Sequence, residues 1–167
     1  MVNNNLISQP TWYAVALGRI LLGLIFLWAF FDKLIGLGYS TPASQSWLSG
    51  GSPTAGFLKG VEGPFADFFH SLAGIGWVDG LFMVGLLGIG LALVLGIVIR
   101  ITSVAGSLLL LMMWAASLPI QTNPIIDDHI IYIVLLVIVA YALPYQKWSL
   151  ANWWCKHRLV KRNIWLQ

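Results

Sequence analysis

The run Asn123-Pro124-Ile125-Ile126-Asp127-Asp128-His129-Ile130-Ile131-Tyr132 sets three ionisable residues side by side at the mouth of an apolar segment that continues to Leu143. Ionisable side chains at the edge of a hydrocarbon core are rare and tend to mark proton or substrate paths. On a helix Asp128 stands four residues before Tyr132 and His129 three before it, so these three share one broad face and can form a hydrogen-bonded relay. Asp127 falls on another face, where Lys33 is a candidate partner. An imidazole beside carboxylates can take up or release a proton near neutral pH, as quinone reduction or quinol oxidation requires. The plain alternative is that acidic groups in a first turn complement the helix dipole and all three side chains reach water.

Other residues could serve the same chemistry. Arg19 stands about two turns inside the first apolar segment, on one helical stripe with Gly23, Phe26, Phe30 and Lys33, and calls for an internal anion, carbonyl or carboxylate. A quinone carbonyl would qualify. Arg100 sits between two apolar segments, where snorkelling to headgroups accounts for it. Asp32 points about 100° away from Lys33 on a helix, so it needs a different partner or water. Trp114 and Tyr132 offer flat walls for a quinone ring if the third and fourth helices adjoin at that end. Only His70 and His129 could approach a haem near the membrane, and no paired Cys or His stand at metal spacing, so neither haem nor a bound metal is expected.

The elements that position these groups are apolar helices. Hydrophobic residues make up 59% of the 167 and charged residues 9%, with nine Trp and a mean hydropathy of +0.84. Soluble domains carry about 25% charged residues, so this composition excludes a water-soluble globule. We read a single all-α membrane domain over 1–167, a bundle of four transmembrane helices at about 14–34, 78–99, 101–118 and 124–143 with a basic tail over 145–167. Trp12 and Tyr13 open the first span at interface depth. Gly88, Ala92 and Gly96 form a small-residue ridge for close helix packing. Asn123 as N-cap and Pro124 at the first position start the fourth span.

Between the first two spans, residues 36–77 are rich in Gly, Ser, Thr and Pro. Within them Phe65, Phe68, Phe69 and Leu72 recur at helical spacing behind Pro64, which predicts a short amphipathic helix lying on the membrane. Ser46-Trp47-Leu48 and Gly56-Phe57-Leu58 read as further pieces of a cap over that end of the bundle.

Cation placement sets the topology. Lys147, Lys156, Arg158, Lys161, Arg162 and Arg100 lie on one side and only Lys33 and Lys59 on the other, so both termini are expected in the cytoplasm of a plasma-membrane protein. The tail reads as a membrane-surface segment, not a nucleic-acid patch. The start Met1-Val2-Asn3-Asn4-Asn5 lacks a signal-peptide pattern, so the first span is expected to stay. The single Cys155 excludes an intrachain disulfide or CxxC pair.

The run Trp28-Ala29-Phe30-Phe31-Asp32-Lys33-Leu34, the loop Gly50-Gly51-Ser52-Pro53-Thr54 with Gly63-Pro64-Phe65, and Asn123-Pro124 with Asp127-Asp128-His129 resemble the DoxX/DoxD membrane proteins, from about Gly18 to Trp154. In that family Arg19, Asp32, Lys33, Arg100, Asp128 and His129 would occupy the recurrent polar positions. The resemblance implies the membrane subunit of a thiosulfate:quinone oxidoreductase, with quinone as acceptor and a separate small redox partner subunit. The alternative is a non-enzymatic module in the lipid bilayer, either a scaffold for redox enzymes or a solute or proton carrier built as a homo-oligomer.

Overall fold

The computed structural model describes residues 9–120 and 123–166, so the expectation for Met1 to Asn5 lies outside the described residues. Helix α1 runs Gln9–Ile35, α4 Gly76–Leu95, α5 Ile99–Ala116 and α6 Asp128–Tyr141. Helix α1 packs on α4 and α5 on α6, while α4–α5 and α1–α6 contacts close the ring. No strand occurs among the described residues.

Leu22, Phe26 and Phe30 of α1 meet Met83, Leu86, Ile89 and Leu93 of α4, Ile99 and Leu110 of α5, and Leu136 and Val139 of α6 in one core. The outward faces are equally apolar: Leu21, Trp28, Leu81, Val84, Leu108 and Val134 are all exposed. Helices apolar all round belong in lipid. Three of them, α1, α4 and α5, are long and apolar enough to cross a membrane. Helix α6 is apolar but has only 14 residues, about 21 Å of helix against the ~30 Å of a hydrocarbon core.

The expected start of α6 moves by four residues. Asn123 does not cap the helix; its Oδ1 accepts from the N–H groups of Ile125 and Ile126 at 3.0 Å each, a local turn that occupies the side chain. The cap is Asp127, in extended conformation, whose Oδ1 accepts from Ile130 N at 3.4 Å.

The close-packing glycines also differ from the expected ridge. Gly88 is exposed and a Cβ there would meet nothing within 4 Å. Helices α1 and α4 instead approach at Gly23 and Gly90, where a Cβ on Gly23 would lie 2.9 Å from the Gly90 carbonyl oxygen and 3.0 Å from Leu93 Cβ. Gly96, at φ +70, ends α4 as its C-cap and lets the chain turn directly into α5.

The loop of residues 36–75 is built rather than open. Two 3₁₀ turns, Ala43–Gln45 and Trp47–Ser49, precede α2 (Ala55–Lys59) and α3 (Ala66–Leu72). The predicted amphipathic helix is α3, shifted past Pro64 with Phe65 as its N-cap. Phe69 is buried with Leu58, Val61 and Ala116, while Phe65 and Phe68 face outward. After α6, Ala151–Trp154 (α7) and Arg158–Arg162 (α8) form the tail.

Candidate functional site

At the start of α6 the cap geometry brings Asp127 back over the helix, and its Oδ2 lies 2.7 Å from Nδ1 of His129. Asp127 therefore does not turn toward Lys33: an N-cap side chain folds over the first turn, where residue 129 sits. With a carboxylate as acceptor, the imidazole proton is held on Nδ1 and Nε2 carries the lone pair. Both side chains are mostly withdrawn from solvent, 16% exposed for His129 and 12% for Asp127. Asp128 lies on the open side, 65% exposed, with Oδ1 at 3.6 Å from the same Nδ1. The expected relay through Tyr132 is not formed: Tyr132 packs against the core, and among the described residues no hydrogen bond joins it to His129 or Asp128. The ligand atoms of Asp127, Asp128 and His129 lie within 4.8 Å of one another, a spacing a cation would accept. Both Asp127 oxygens, however, already serve the helix cap and the imidazole.

Trp114, near the end of α5, donates its indole N–H to the Ile125 carbonyl at 2.8 Å. This bond places the third helix beside the entrance to the fourth and pins the segment that leads into the Asp127 cap.

Arg19 has found carbonyl partners, all from its own chain. Nη1 donates to Leu93 O and to Val94 O at 3.2 Å, and Nη2 donates to Lys147 O at 3.1 Å and Trp148 O at 2.8 Å. The side chain is 1% exposed. Leu93 and Val94 lie in the last turn of α4, whose unpaired carbonyls carry the negative end of the helix dipole, so the guanidinium is stabilised by backbone dipoles and its hydrogen bonds are met without a carboxylate. Trp148 adopts φ +47, which helps aim the 147–148 carbonyls at the guanidinium, and Leu150 N–H donates to Leu95 O at 2.8 Å beside it. A guanidinium fork suits this convergence of acceptors from two elements.

Two buried carboxylates hold the loop at the opposite end. Asp32, 1% exposed, accepts from Tyr39 N at 3.3 Å and from Ser40 N and Oγ at 3.1 and 2.5 Å. Asp79, 6% exposed in the first turn of α4, accepts at Oδ1 from Ser52 Oγ at 2.9 Å, Thr54 N at 3.1 Å and Thr54 Oγ1 at 2.6 Å. Sequence reasoning missed Asp79. Its signal was an acidic residue in the first turn of an apolar helix preceded by a Ser/Thr-bearing loop, but nothing local says that the loop folds back onto it.

The remaining candidates stand apart from the Asp127–His129 pair. Lys33 is half-buried at the end of α1 and Arg100 exposed in the first turn of α5, and among the described residues neither forms an ion pair with a carboxylate. His70 turns its Nε2 to the Val61 carbonyl at 2.9 Å, inside the loop. An open cleft of about 440 Å³ lies between α2 and the end of α5, lined by Phe57, Val61, Glu62, Ser117 and Pro119 among others, but not by Asp127 or His129.

Compared with protein-family models, curated proteins and solved structures, the chain matches none of them.

Proposed function

We propose that this chain is the membrane subunit of a quinone-linked oxidoreductase and that the Asp127–His129 pair is its proton-exchange group. The observation that carries this reading is the orientation of His129: a largely withdrawn imidazole, its Nδ1 fixed by a carboxylate at 2.7 Å, leaves Nε2 as the basic atom at the mouth of the helices. A quinone accepting two electrons takes up two protons. If the donor is thiosulfate, two thiosulfates release those electrons as a sulfur–sulfur bond joins them into tetrathionate. Nε2 of His129 takes up a proton from the water that reaches exposed Asp128 and passes it to a quinone oxygen, once for each of the two protons the quinol carries. Electrons pass from donor to quinone directly or through a small partner subunit.

In this reading α6 is a fourth crossing, lengthened by the apolar residues on either side of Asp128–Tyr141, and both termini face the cytoplasm of the plasma membrane. Thiosulfate-dependent quinone reduction by the purified chain with its co-purifying partner tests the reading. A preparation that shows no quinone binding and no turnover would overturn it.

A second reading, a non-enzymatic scaffold or carrier, draws on a different observation. Arg19, Asp32 and Asp79 are each satisfied by this chain's own backbone or hydroxyl groups, as structural anchors are. Stable redox partners without intrinsic turnover would favour the scaffold, and solute flux in liposomes the carrier.

A further inference from the structure

The charges of this protein are sorted by end. All six carboxylates, Asp32, Glu62, Asp67, Asp79, Asp127 and Asp128, lie at the close of α1, in the loop, or in the opening turns of α4 and α6. Seven of the nine Lys and Arg, namely Arg19, Arg100, Lys147, Lys156, Arg158, Lys161 and Arg162, belong to the opposite end, where no Asp or Glu stands among the described residues. Arg19 is consumed by backbone carbonyls and Lys147 lies 5.7 Å from the Tyr13 ring centroid. Arg100, Lys156, Arg158, Lys161 and Arg162 are exposed, and none of them meets a carboxylate among the described residues.

The tail that carries four of these is folded against the helices. Val160 is 2% exposed, the turn Ile164–Leu166 packs on α5, and Trp154 Nε1 donates to Leu166 O at 2.6 Å, closing the segment on itself. Fixed in this way, the tail presents large apolar side chains outward beside its cations: Trp153 at 56% exposure, Leu159 at 77%, Ile164 at 57% and Trp165 at 56%. Exposed indoles and aliphatic side chains alternating with Lys and Arg match the boundary between headgroups and acyl chains, where the rings settle and the cations reach phosphate. An acidic soluble partner would account for the charge but not for Leu159 and Ile164 lying open beside it.

We propose that this basic end is a binding surface for anionic phospholipid headgroups, made by Lys156, Arg158, Lys161 and Arg162 on the tail together with Arg100 of α5. The surface holds the chain in a leaflet rich in such lipids, and it does not depend on the oxidoreductase reading. Each surface cation contributes about fivefold to the preference for anionic over neutral lipid.

The test is native mass spectrometry of the full chain after exchange into mixed phosphatidylglycerol and phosphatidylcholine. The expected result is selective retention of phosphatidylglycerol. Retention falls by about fivefold for each of Lys156→Gln, Arg158→Gln, Lys161→Gln and Arg162→Gln, persists in Lys161→Arg, and is unchanged in Lys59→Gln at the other end. A thermal melt of each variant separates lost lipid binding from lost fold, and the charge-keeping Lys161→Arg and Arg162→Lys variants report on the surface even if a neutral variant fails to fold. An unchanged preference when all four are neutralised would overturn the proposal. Equal competition by inorganic phosphate, or retention of an acidic protein in place of lipid, would overturn it as well.

Discussion

Oδ2 of Asp127 and Nδ1 of His129 are 2.7 Å apart, while the neighbouring carboxylate of Asp128 is turned outward and 65% exposed. Two adjacent aspartates thus have different tasks. One caps the helix and orients an imidazole, and the other faces water.

Asparagine is as good an N-cap as aspartate, so Asp127→Asn keeps the start of α6 and removes only the charge that holds the imidazole. In a quinone-reductase assay Asp127→Asn and His129→Phe should each lower kcat by about 10²-fold or more, the usual worth of a positioned acid–base group. Asp128→Asn should lower it less than about threefold. Equal losses at 127 and 128 would restore Asp128 to the relay that the helical spacing suggests.

Removing the guanidinium in Arg19→Met leaves the Leu93, Val94, Lys147 and Trp148 carbonyls without their donor. Unsatisfied buried acceptors cost about 1–3 kcal/mol each where water cannot replace the donor, so a loss of at least about 3 kcal/mol in unfolding free energy is expected in detergent. Arg19→Lys should lose about half of that, because an ammonium keeps the charge near the end of α4 but cannot fork between both pairs of carbonyls.

Asp79→Ala releases three donors from the 52–54 segment at once. Amide hydrogen exchange should rise by about 10²-fold in the loop around α2, equivalent to about 2–3 kcal/mol of local stability, with little change in the centres of α4 and α5. Uniform acceleration across all helices would show that Asp79 stabilises the whole fold and not the loop alone.

A glycine comparison separates real contact from apparent pattern. Gly23→Ala drives a methyl against the Gly90 carbonyl, Val94 Cγ2 and Leu93 Cβ, all within 3.0 Å, and should cost about 1–3 kcal/mol as α1 and α4 are pushed apart. Gly88→Ala meets nothing within 4 Å and should be neutral or stabilising by up to about 1 kcal/mol. Thermal melts of the two variants in the same detergent decide the point.

The helical class, the apolar faces, the structured loop and the sorting of charge by end were legible in the residues alone. Transfer free energies and helical periodicity are local properties: each residue of Leu81, Val84 or Lys161 carries its preference for lipid or water wherever the chain goes. A hydrogen-bond partner is not a local property. Spacing could say that Arg19 needed an anion or carbonyl, but not that the ends of α4 and the 147–148 turn would supply it from 74 and 129 residues away. It could rank Gly88, Ala92 and Gly96 as a ridge, but not say which glycine faces a helix. It could put Asp127 at the mouth of α6, but a cap folds its side chain back over the first turn, and helical angles drawn from residue 124 miss that. Tertiary structure decided these points because each depends on which backbone atoms arrive within about 3 Å, a range at which a shift of one helical turn exchanges every partner.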